Sequence, residues 1–267
     1  MGKIIKYEFR SMFRLFIPLW LGILALSLVN RFTLNLQFDG NSLTGFFSGL
    51  VMFLYVMGIM AVLVVAFIFV ILRFYKGVLK EEGYLTMTLP VSLDSVLWGK
   101  AIAGWVLMVL TILVCIASVC ILVLGNFVQR IMLQLTWNRM VELTGSAAPL
   151  VLIVVQLVLA ALVSTLYNIL FLYLAMAIGH LAQKHRVGMS VLAYVVMSTV
   201  LSTAYNTFLT PVVLNFMMGY DFAGRTNAQI MATISNGLWI YLAVVLAACA
   251  VFYFPTRYIL QKKLNLE

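Results

Sequence analysis

From Ser42 to Leu72 the chain runs for 31 residues without one Asp, Glu, Lys, Arg or His. A helix needs about 20 predominantly apolar residues to cross the hydrocarbon core of a bilayer. A helix apolar on every side belongs in lipid or deep inside a large core, not on a water-facing surface. Further stretches are long and apolar enough to do the same: roughly Leu15–Leu34, Leu97–Val128, Ala147–Leu181, Val187–Thr210 and Ala228–Phe254. Where a run exceeds 30 residues, tilt or continuation into the headgroups absorbs the excess. A membrane β-barrel would show alternating segments of about ten residues, and the sequence contains none. The expected fold class is therefore all-α, a polytopic membrane protein with six transmembrane helices.

Composition closes off the water-soluble alternative. Of 267 residues, 64% are hydrophobic and 9% charged, with mean hydropathy +1.11, whereas soluble domains carry about 25% charged residues. Cys115, Cys120 and Cys249 all lie inside apolar runs without ligand-like spacing, so they read as small packing residues. The net charge of +9 would suit a nucleic-acid partner in a soluble protein. Here membrane topology alone accounts for it, and no nucleic-acid partner is implied.

Topology follows from the basic residues. With the N-terminus inside, 13 of the 17 Lys and Arg are cytoplasmic, and only Arg31, Arg130, Arg139 and Arg225 fall outside. The positive-inside rule favours both termini in the cytoplasm. The basic N-terminus followed by an apolar run and Ala25-Leu26-Ser27 also has the outline of a secretory signal. Periodicity favours another reading. Lys3, Lys6, Arg10 and Arg14 form one helical stripe, and Ile5, Phe9, Met12, Phe13 and Phe16 form another. Residues 1–14 are thus expected to make an amphipathic interfacial helix.

The stretch Lys80–Lys100, KEEGYLTMTLPVSLDSVLWGK, then falls on the cytoplasmic side, between the second and third spans. The second span should end near Arg73–Lys76, with a short helix from about Val78 to Thr88. Glu81 and Glu82 suit its N-terminal half, where the helix dipole favours negative charge. Pro90 biases Leu89 out of the helix. Ser92 is then an N-cap for the third span, with Asp94 in its first turn. A plain solvated hairpin would satisfy the same composition.

Glu81-Glu82-Gly83-Tyr84-Leu85-Thr86, then Leu89-Pro90-Val91-Ser92, then Gly99-Lys100, resembles the cytoplasmic signature of bacterial type-2 ATP-binding-cassette permeases. Tyr84 departs from the pattern, standing where that family often has Thr. The residue-level likeness is confined to about Lys80–Lys100, while the six-span layout is similar along nearly the whole chain. The resemblance implies one permease domain over residues 1–267, a coupling helix and turn at 77–92, and an outer re-entrant element at 211–229. It further implies that Glu81, Glu82, Gly83, Tyr84, Leu85, Thr86, Leu89 and Pro90 contact separate ATPase subunits, with Lys3–Arg14 and Gln183–Val187 as secondary contacts. A second permease, identical or homologous, would complete the pathway in the bacterial inner membrane.

No Walker loop occurs, since Gly99-Lys100 lacks both the upstream glycine and a following Ser or Thr. ATP and Mg would accordingly sit on the partner, and this chain needs no cofactor and is not itself an enzyme. His180 and His185 have five-residue spacing and no neighbouring carboxylate, which argues against a metal site. Spans poor in ionisable groups disfavour ion-driven transport. The fifth span carries Ser198, Ser202 and Asn206 at four-residue spacing, joined by Thr199, Thr203 and Thr210. These residues serve either helix packing or one wall of a translocation cavity. Met52, Tyr55, Met57, Gly58 and Met60 of the second span would be the facing wall, suited to amphipathic or apolar cargo. Residues 126–146, with Trp137 and Arg130, are expected to form an outer loop that caps the cavity or anchors at headgroups. The rival reading is a non-transporting membrane sensor or scaffold whose cytoplasmic helix docks a regulator.

Overall fold

A computed structural model describes residues 2–35, 42–79, 93–125, 127–182, 185–211, 215, 224 and 226–262. The described residues are helical almost throughout and contain no strand. In order they form α1 (Gly2–Asn35), α2 (Ser42–Phe74) running into a π-helical turn (Tyr75–Leu79), α3 (Leu93–Gly125), and α4 (Phe127–Thr144). Then follow α5 (Ala148–Gly179), α6 (Arg186–Ala204) with a second π-turn (Tyr205–Leu209), and α7 (Asn227–Lys262). Six segments are long and apolar enough to cross a membrane: Glu8–Thr33, Gly45–Leu79, Leu93–Leu124, Ala148–Gly179, Arg186–Phe208 and Asn227–Gln261. The protein is a multi-pass membrane protein of all-α class.

Helix ends follow local chemistry. Pro149 stands in the first turn of α5, where its missing N–H costs nothing. Gly145, with φ +71°, closes α4 in the left-handed conformation that glycine tolerates best. At the start of α7, Gln229 Oε1 accepts the backbone N–H of Thr226 at 3.2 Å, one half of a capping box.

The chain divides into two compact units. Unit 1 comprises Met1–Arg73 and Ser95–Arg139. Its core gathers Ile23, Tyr55, Val62 and Leu122, with Leu19, Trp20, Leu26 and Ile59 packed against them. Polar pairs stitch the apolar helices where lipid offers no water. Trp20 Nε1 donates to Thr111 Oγ1 at 3.2 Å. Tyr55 and Ser118 hydroxyls meet at 2.9 Å. Since Ser118 Oγ already donates to the Cys115 carbonyl, Tyr55 is the donor of that pair.

Unit 2 comprises Phe74–Asp94 and Met140–Glu267. Here α5 packs extensively on α7 and less so on α6. Tyr167, Phe171, Tyr194 and Phe252 join the three helices through ring contacts 5.1–6.3 Å apart. At Gly179 the α6 backbone approaches so closely that a Cβ would collide with Ser190.

Several boundaries differ from the sequence-based expectation. Residues 2–14 are not set off from the first span: α1 continues through them and past Pro18 without a break. The second helix does not stop at Lys76 but winds on to Leu79, with Gly77, Val78 and Leu79 buried. Most of 126–146 is helix α4 rather than loop. Leu, Met, Gln and Arg are good helix formers, and their even mixing with polar residues leaves no periodic stripe to read. Of the expected outer element 211–229, helix α7 takes in the last residues from Asn227, and most of the remainder lies outside the described residues.

Candidate functional site

Glu8 is the only carboxylate before Asp39, and it stands among Lys3, Lys6, Arg10 and Arg14. In unit 1 its side chain turns inward between two other helices. Lys100 Nζ on α3 donates to Glu8 Oε1 at 3.0 Å, and Arg73 Nε in the last turn of α2 donates to Oε2. Glu8 and Lys100 side chains are only 8% and 6% exposed. Such burial of charge is tolerable because each partner is met by an opposite charge through a charge-assisted bond. The triad ties together the start of α1, the end of α2 and the start of α3.

In unit 2, Asp94 holds a second clasp. It sits in the first turn of α3, where the dipole favours a carboxylate. Tyr253 donates its hydroxyl to Oδ1 at 2.7 Å, and Arg257 Nη2 approaches Oδ2 at 2.9 Å. This pair is about two-fifths exposed, so it contributes about 0.2–1 kcal/mol at most. Beside it Phe74 stacks on Tyr173 with centroids 3.7 Å apart, and Tyr75 meets the His180 ring edge-on at 5.3 Å. Burial, helped by the nearby Arg186 cation, pulls the His180 imidazole below its ordinary value, against a backbone bond at Met176 that favours the proton.

Glu81, Glu82, Gly83, Tyr84, Leu85, Thr86, Leu89 and Pro90 lie outside the described residues. What is placed is their flanks, Leu79 at the end of the π-turn and Leu93 at the start of α3. Lys100, the second residue of the sequence's Gly-Lys pair, points its ammonium at Glu8. Sequence reasoning did not single out Glu8, though a lone acid in a basic stripe at a span's entry was a usable signal.

The residues expected to line a cavity fall into separate units. In unit 1, Met52 Sδ accepts from Asn30 Nδ2 at 3.1 Å, Met57 and Met60 are exposed, and Tyr55 is buried with its hydroxyl on Ser118. In unit 2, Ser198 and Thr199 return their hydroxyls to the Val195 carbonyl at 2.9 and 3.0 Å. Ser202 and Asn206 are exposed, and Asn206 lies within the second π-turn. Such turns are frequent at functional positions in helices.

Among the described residues no three metal-ligating side chains come together. The chain matches no family model, no curated protein and no solved structure. Its class is therefore defined by its own geometry: six apolar helices, with a buried Glu8–Lys100 pair in unit 1 and a partly exposed Asp94–Arg257 pair in unit 2.

Proposed function

We propose that this chain is the membrane-spanning subunit of an ATP-driven ABC exporter, paired with a second permease and moved by separate ATPase subunits. The observation that carries this reading is the Glu-Glu-Gly-Tyr-Leu-Thr…Leu-Pro-Val-Ser…Gly-Lys stretch between the second and third apolar helices. In the proposed orientation it faces the cytoplasm of a bacterial inner membrane. A lever transmits force only if its base is stiff. The Glu8–Arg73–Lys100 triad and the Asp94–Tyr253–Arg257 clasp supply stiffness at helix ends beside that stretch. Cargo would be amphipathic or apolar, and the exposed thioethers of Met57 and Met60 in unit 1 suit such a molecule.

The test is co-expression with a candidate ABC ATPase from the same genome, followed by purification and assay of vanadate-sensitive hydrolysis. A stable complex is expected, and Glu81→Lys with Glu82→Lys should lower its coupled ATPase activity by about tenfold or more, the scale of losing charge-assisted contacts. Unchanged assembly and activity in that double variant would sink the coupling role. Binding of a regulator with no nucleotide hydrolysis would favour the sensor or scaffold reading.

A further inference from the structure

One polar side chain in unit 2 sits deep in a span with half of its hydrogen-bonding capacity unmet. Gln156 of α5 is 1% exposed. Its Nε2 donates to Ser235 Oγ at 2.8 Å and to the Ser235 carbonyl at 3.3 Å on α7. Its Oε1 is buried and has no hydrogen-bond partner among the described residues. In lipid no water stands ready to satisfy it, and an orphaned amide acceptor costs about 1–3 kcal/mol.

The same residue lines a wide-open cleft of about 590 Å³ between α5 and α7. The other walls are Ala147, Ala148, Val151, Leu152, Val155 and Trp239, nearly all apolar surface. Small residues at the start of α5 leave the space open. The end of the cavity at Ala148, where α5 begins, lies about 12 Å along the helix from Gln156, eight residues at helical rise. Val151, Val155 and Trp239 are each about half exposed, so the opening is lateral, toward lipid. Its size is that of a small-molecule site, and such sites pair an apolar lining with a few placed polar groups.

We propose that this cavity binds an apolar molecule carrying an amide N–H or a hydroxyl within its apolar body, with that donor meeting Gln156 Oε1. The depth of the acceptor selects the ligand. A phospholipid keeps its donors at the headgroup, level with the start of α5 near Ala148, and brings only tail methylenes to the depth of Gln156. A chain with an internal secondary amide delivers its N–H at the right level. Binding of this kind is independent of whether an ATPase partner exists.

The probe is an N-alkyl alkanamide bearing a diazirine on one alkyl arm, compared with its N-methyl derivative, which keeps both arms and the carbonyl but replaces the N–H with a methyl group. Full-length protein in lipid nanodiscs is photolabelled with each, and labelled peptides are located by mass spectrometry. The secondary amide should label the 147–156 segment and the peptide containing Trp239 about two- to tenfold more than its N-methyl counterpart, the worth of one hydrogen bond. Gln156→Met should retain labelling and lose that preference. Val151→Trp, at an exposed position, should block labelling while leaving the protein monodisperse. Equal labelling by both probes, or label spread evenly over the other spans, would overturn the proposal.

Discussion

Glu8 shows how much a single side chain can hold in a membrane protein. Its carboxylate faces two cations from two other helices, one 65 positions away and one 92. Glu8→Gln removes the charge that both cations require, and breaking a buried pair in this way costs about 3–5 kcal/mol. The expected readout is a large drop in thermal midpoint in detergent, with much of it restored by Glu8→Met combined with Lys100→Met. A wild-type-like midpoint for Glu8→Gln would contradict the triad's role. His180 makes the complementary pH statement. Its native value lies below the ordinary 6.5, so between those two values the unfolded chain binds the proton and the native one does not. Stability is then full above about pH 6.5 and declines as pH falls through the native value. The midpoint should be lower at about pH 5.5 than at pH 7.5, and His180→Asn should shrink that difference. An unaltered difference in the variant would assign the pH response elsewhere. Of these residues, Lys100 drew attention in the sequence because it ends a recognisable run. Its partner did not, since a contact across 92 positions leaves no spacing to read.

At the scale of elements, apolar length was enough to place the six long helices, because lipid is the solvent and hydropathy is the whole criterion. Their ends were less legible. Basic and aromatic residues at 73–76 look like an interfacial stop, yet the backbone adds a π-turn and buries Val78 and Leu79. Helix α4 was invisible to periodicity, since its exposed Met132, Leu133, Leu135 and Met140 form no single stripe. The turn between α5 and α6 hides a packing constraint of the same kind. Gly179 is the point where α6 crosses closest, and Gly179→Ala should destabilise by about 1–3 kcal/mol through overpacking. Gly188, two residues before Ser190 on the same helix, has open space around its Cβ position, and Gly188→Ala should be neutral or gain up to about 1 kcal/mol. Thermal midpoints of the two variants, measured side by side, check the contrast. Equal effects would mean that the close approach carries no energy.

For the whole molecule, the division of labour is between what lipid dictates and what partners dictate. Exposed apolar surface runs along every long helix, and of the fifth apolar segment, Arg186–Phe208, the described side chains are exposed or half-exposed except Ser190. Hydropathy made that architecture legible from the sequence. Lateral pairing was not, because Glu8, Gln156 and Asp94 find partners through tertiary proximity alone. The Met52, Tyr55 and Met57 set lies in unit 1 and the Ser198, Ser202 and Asn206 set in unit 2. The proposed function rests on the segment 77–92 acting as a cytoplasmic lever seated on a separate ATPase. A photo-crosslinking amino acid at Tyr84, in cells co-expressing that ATPase, tests it most directly. A nucleotide-sensitive crosslink to the ATPase chain is expected; crosslinks to lipid alone, or modification of position 84 by an impermeant reagent from outside the cell, would contradict it.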